Sequence, residues 1–203
     1  MLRLVLITGS LLFTSLSAFT QLKKFYTIKE SSEFDTVSFY LKATAANCLL
    51  KQSDSDPSSL SNYGNPDLEK INPTYASKIM NKTCHAKLVL DEYSSSGFGA
   101  SFSMAVSRND KDNDFWKVNL GSKETYRLNL IYGFGNADVN LTGSSVQRLK
   151  IKSGSADIVV GYDNGSMNPI HMDTFFVKAD FGSIVAKRME LTRAKQVITK
   201  IGF

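Results

Sequence analysis

Histidine, cysteine, proline and tryptophan are scarce: the 203-residue chain holds two, two, four and one of them. His85 and His171, even with both cysteines, do not give the three or four recognisably spaced ligands of a zinc site. Two cysteines are too few for a disulfide-built scaffold. No segment after the N-terminus is apolar for eighteen residues, so no transmembrane helix is expected, although membrane association stays open. There is no Gly-x-Ser-x-Gly elbow. Gly133 and Gly135 lack the third glycine and the following helix of a phosphate cradle. No Lys/Arg block occurs. The formal charge of +5 is mild and its basic residues are mixed with acids, which argues against a nucleic-acid partner. These gaps together point away from an enzyme and from any cofactor.

What is present begins with an export signature. Arg3 is followed by a mostly apolar run from Leu4 to Phe13, then by small and polar residues from Thr14 to Gln21. That is the order of a secretory signal peptide, with cleavage expected after Thr20, or alternatively after Ser17. In an oxidising compartment Cys48 and Cys84 are expected to bond, contributing roughly 3–4 kcal/mol by the chain-entropy argument. The remainder is long enough for one ordinary domain or two small ones.

Alternation with period two dominates. Val37, Phe39 and Leu41 form one apolar set. Cys84, Ala86, Leu88 and Leu90 form another, and Trp116, Val118 and Leu120 a third. Each predicts a half-buried strand. Phe98 to Val106 alternates in the same way. Helical periodicity is rare. Pro66 to Met80 is the best helix candidate, and Pro73 reduces it to one short turn or an irregular loop. Residues 52–66 are rich in Ser, Asp, Asn and Pro and predict an exposed loop.

The last third repeats. Gly133, Gly154, Gly182 and Gly202 each end a strand-like stretch, and a second short strand follows the first three. A strand–bend–strand unit of about twenty residues is what a solenoid stacks. Leu128, Leu130, Val139, Leu141, Leu149 and Ile151 would fill its interior, with Asn129, Asn140, Lys150 and Lys152 outward. One unit carries an insertion, Tyr162 to Pro169, with a hairpin-turn signal at Asn164-Gly165. The expected fold is therefore all-β, a right-handed β-solenoid or β-helix-like stack at least in the C-terminal half, with at most one short helix. Residues 1–20 are the signal peptide, 21–120 an N-terminal β region with the long polar loop, and 121–203 the repeats.

Residues 127–203, through Leu130 to Ala137, Ser153 to Asp157 and Ala179 to Ser183, resemble the bacterial putative-adhesin family of short β-solenoid domains. The resemblance implies an envelope location and transfers no catalytic residue.

Three local patterns invite chemistry. Asp110, Asp112 and Asp114 alternate like the opening of a calcium loop, but Phe115 stands where glycine is needed and Gly121 where glutamate is needed. His171 and Asp173 share a strand face and could meet Ser166 or Ser183. Tyr93 and Phe98 flank a glycine-serine bend that could contact carbohydrate or protein. The sequence thus predicts an exported, non-enzymatic protein of the bacterial periplasm, outer membrane or cell surface, an adhesion or structural module for a surface protein or glycan. A small outer-membrane β-barrel is the alternative, since alternating strands with Tyr and Phe suit a lipid-facing band. A lipocalin-like carrier is the third reading.

Overall fold

Alternating apolar residues become strands wherever the sequence predicts them within residues 24–53, 58–64, 71–92, 115–163 and 165–202, which the computed structural model describes. Among these residues run β1 (Lys24–Lys29), β2 (Thr36–Ala45), β3 (Asn47–Gln52), β4 (Ser58–Gly64), β5 (Ile71–Met80), β6 (Thr83–Glu92), β7 (Phe115–Leu120), β8 (Thr125–Phe134), β9 (Asn136–Asn140), β10 (Ser145–Ser153), β11 (Asp157–Gly161), β12 (Thr174–Ala179), β13 (Ile184–Lys187) and β14 (Val197–Ile201). A 3-10 turn at Met189–Thr192 is the one helical element described, far from the helix expected before Met80.

The strands form two seven-stranded sheets. The first has the order β1-β4-β7-β3-β9-β11-β13 and the second β14-β12-β10-β8-β2-β6-β5. From β8 onward the chain alternates between them. Strands β8, β10, β12 and β14 lie parallel in the second sheet, and β9, β11 and β13 lie parallel in the first. The pair β2–β3 stacks on β8–β9 in the same sense. Strands β6 and β7 stack on its far side, so β2–β3 is wedged between later parts of the chain. Antiparallel β4 and β5 cover β7 and β6, and β1 covers β4. Both sheets are thus mixed. At the other end, β13 and β14 are the edge strands, each paired on one side alone among the described residues.

The apolar side of every alternation meets between the sheets. Leu128, Leu130, Val139, Leu141, Leu149 and Ile151 are all buried, and Trp116, Tyr126, Tyr132 and Tyr162 are the largest side chains buried with them. Burying each such side chain contributes about 1.5–3 kcal/mol. Neither sheet closes on itself. The barrel alternative needs one closed sheet with an apolar band outside, and this packed two-sheet interior is a different architecture.

The bends touch their neighbours directly. Gly154 N donates to Tyr132 O at 2.8 Å, Phe181 N to Gly154 O at 2.6 Å, and Gly202 N to Ala179 O at 2.8 Å. At Gly133 a Cβ would overlap the Thr44 carbonyl, so no larger residue fits without displacing backbone. The insertion after β11 is held by Asn168, which is fully buried. Its Oδ1 accepts from Val146 N at 2.9 Å, and its Nδ2 donates to Val146 O at 2.7 Å.

Three expectations are corrected. Residues 71–80 are not helical but a ten-residue edge strand, where Pro73 costs little because its missing N–H can face outward. Residues 58–64 of the expected loop form β4, whose buried positions include Ser59, Ser61 and Asn62. Cys48 and Cys84 are free thiols. Cys84 lies level with Val37 at the start of β2, whereas Cys48 lies near Tyr132, which is level with Ala43 and Leu90. Six residues of strand, about 20 Å, separate those levels, and a disulfide spans less than 7 Å between Cα atoms.

Candidate functional site

The outer face of the second sheet is the candidate. On β8, β10 and β12 the inward residues are apolar apart from Ser153, so the alternate residues face outward, and the parallel register carries the same alternation onto β14. Those outward positions hold Arg127, Asn129 and Ile131 on β8; Arg148, Lys150 and Lys152 on β10; Thr174, Phe176 and Lys178 on β12; and Ile198 and Lys200 on β14. The parallel register sets Arg148 beside Arg127, Lys152 beside Lys178, and Lys178 beside Lys200. Neighbouring strands lie about 4.8 Å apart. No carboxylate occupies an outward position on these four strands.

Strands β2 and β6 widen the face with Tyr40, Lys42 and Lys87. The Lys87 ammonium sits 5.6 Å from the centre of the Tyr40 ring. Among the described residues, acids appear towards its ends. Asp91 holds Lys42 at 2.8 Å, and Asp180 holds Lys178 at 2.6 Å. The hydrogen bond and charge of Asp91 push the Lys42 pKa up. The outer face of the first sheet differs. There Asp138 and Asp157 share the surface with Lys51, Lys117 and Lys187, so charge of both signs is present. Folding has therefore sorted charges that look mixed along the sequence. The signal was legible at Arg148-x-Lys150-x-Lys152, three cations on one face of one strand, although the sequence reading took such positions only as a solvated surface.

A second polar cluster closes the opposite rim. The Tyr126 hydroxyl lies 2.6 Å from the Ser59 carbonyl and 3.1 Å from that of Gly121. Buried Glu124 accepts from the Ser59 hydroxyl. Burial, then the Glu124 charge, pushes the Tyr126 phenol far above its usual range, so it stays protonated as a donor. The cluster ties β4 to the β7–β8 turn. Beside it a cleft of about 380 Å³ is lined by Glu30, Ser31, Ser32, Phe34, Asp35, Lys123 and Glu124.

The other predicted groups are not brought together. His171 Nε2 lies 3.1 Å from Arg193 Nη2, and Asp173 pairs with Lys195 at 3.3 Å. The Ser183 hydroxyl donates to Asp157 at 2.9 Å rather than meeting His171. Burial pushes the Cys48 thiol up to about 12 and raises Cys84 too, which keeps both thiols protonated at neutral pH. No cluster of three or more His, Cys, Asp or Glu side chains fit to hold a metal occurs among the described residues. Tyr93, Phe98, Asp110, Asp112 and Asp114, like the signal segment 1–20, lie outside them.

No family model matches the chain, and no curated protein matches it. A solved structure does: that of a putative cell adhesion protein from Clostridium sporogenes. The match has a TM-score of 0.60 and 10% identity, and covers 89% of this chain and 95% of that one. The likeness is one of fold.

Proposed function

We propose that the protein is an exported, non-enzymatic module of a bacterial envelope or surface, built as a short β-solenoid, that binds a surface partner. The broad cationic face of the second sheet carries this reading. A rigid backbone ladder presents its side chains at fixed spacing, which suits an extended ligand better than a small substrate held in a pocket. The parallel stacking of β8–β9, β10–β11 and β12–β13 supports counting each pair as one coil. The secretory pattern in residues 1–20 supports export. The fold likeness to a protein described as one of cell adhesion agrees with a binding role.

The test is direct. The labelled protein is incubated with envelope fractions of the organism that makes it, and the same cells are fractionated for the native chain. Saturable binding, with the native chain outside the cytoplasm, is expected. A chain that stays cytoplasmic and does not bind the fractions would sink the reading.

A further inference from the structure

The register of the second sheet stacks like charges that the fold itself does not need. Lys152, Lys178 and Lys200 stand side by side on three parallel strands, and Arg127 and Arg148 do so two rows away, with Lys150 in the row between. Like charges directly opposite in a sheet are destabilising, and among the described residues only Lys178 of that lysine row has a carboxylate partner at hand, Asp180. Uncompensated charge held at fixed spacing is a site prepared for the opposite sign.

We propose that this face is a docking track for a linear polyanionic polysaccharide, carboxylated or sulfated, laid across β8, β10, β12 and β14. The proposal rests on the surface-binding reading and names its partner class. The row of lysines crosses β10, β12 and β14 rather than following one strand, so it offers a charge at each of these strands to a polymer that repeats its own charge; on β8 that row holds Ile131, and the cation is Arg127 beside Arg148. Between the cations lie groups suited to sugar hydroxyls. Gln147 accepts from Arg127 Nε at 2.6 Å and fixes that guanidinium. Asn129, in register between Tyr40 and Lys150, has a side-chain oxygen without a hydrogen-bond partner among the described residues. A sugar hydroxyl is a donor of the kind that this acceptor lacks.

Two other polyanions fit less well. Single-stranded nucleic acid is held by stacking bases on open rings, and here Tyr40 and Phe176 are half-buried, with Lys87 over the former. An interfacial membrane binder inserts protruding apolar side chains. On this face Ile131 and Ile198 are half-buried, while exposed Phe134 and Phe181 sit at the bends.

The purified protein is titrated with heparin, polygalacturonate, neutral dextran, a single-stranded DNA oligomer and phosphatidylglycerol vesicles over a range of salt. Both polyanionic polysaccharides bind, dextran does not, and affinity falls steeply with salt, as counterion release requires. The triple variant K152Q/K178Q/K200Q loses at least tenfold in affinity. The matched variant K51Q/K117Q/K187Q removes the same charge from the first sheet and stays within twofold. Circular dichroism of both variants matches the parent. Equal losses in the two triples, or tighter binding to the oligomer or the vesicles, overturn the proposal. Absent polysaccharide binding with intact binding to envelope fractions overturns it and leaves the surface reading standing. Loss of both overturns both.

Discussion

Cys48 shows how much a single buried group can say about stability. Its thiol is pushed from an ordinary 9.0 up to about 12 by complete burial. The folded protein therefore keeps a proton that the unfolded chain gives up first. The stability tied to that proton is whole below about pH 9 and drains away as the pH climbs towards 12, at up to about 1.4 kcal/mol per pH unit. Tyr126 and Tyr162, raised by burial from 10.0, add the same trend from about pH 10 upward. Urea melts at successive pH values are expected to show midpoints falling from pH 9. In C48A/C84A, which removes both raised thiols, the fall is expected to begin about one pH unit later, where the phenols take over. An unchanged onset would mean that the thiols reach water in the folded state. At this scale the alternation of Val37, Phe39 and Leu41, or of Leu128 and Leu130, revealed which side of a strand is buried. It could not reveal the height at which a residue sits along the stack, and that is why Cys48 and Cys84, both correctly read as apolar-context residues, were wrongly joined.

Elements were legible where both faces obeyed the alternation. β8, β10 and β12 did so, and their glycine bends came with them. β4 did not, because its buried positions hold Ser59, Ser61 and Asn62, which read as loop. β5 did not, because an edge strand exposes most of both faces and tolerates Pro73. Asn168 was equally hidden. Its role is to imitate a missing strand partner, accepting from and donating to the backbone of Val146 while its own N–H donates to Leu191 O at 2.8 Å. N168A removes the two bonds to Val146 and a third from Nδ2 to Thr192 O at 3.3 Å, and leaves buried backbone groups of Val146 without those partners. A loss of about 1–3 kcal/mol is expected in urea melts, with faster hydrogen exchange at the amides of Val146 and of position 168 and little change at Leu130. A uniform rise in exchange across all coils would show instead that the insertion has no local anchoring role.

At the scale of the whole molecule, the two outer faces set stability against binding. One face mixes Asp138 and Asp157 with lysines, and the other lines up Lys152, Lys178 and Lys200 without an acid between them. Their mutual repulsion works across solvent, so salt must weaken it: the screening length is about 10 Å at 0.1 M, twice the strand spacing, and shrinks further above that. Unfolding free energy is expected to rise by a few tenths of a kcal/mol between 10 mM and 500 mM sodium chloride. K152Q relieves one repulsion and is not half of an ion pair among the described residues. It should be slightly more stable than the parent at low salt and equal to it at high salt. The same substitution should weaken heparin binding, because the ligand supplies the negative charge that the sheet lacks. Opposite signs for stability and binding in one variant would mark these lysines as retained for a partner. If K152Q instead lowers stability at low salt, the row is held together by contacts within the sheet, and its charge needs no ligand to account for it.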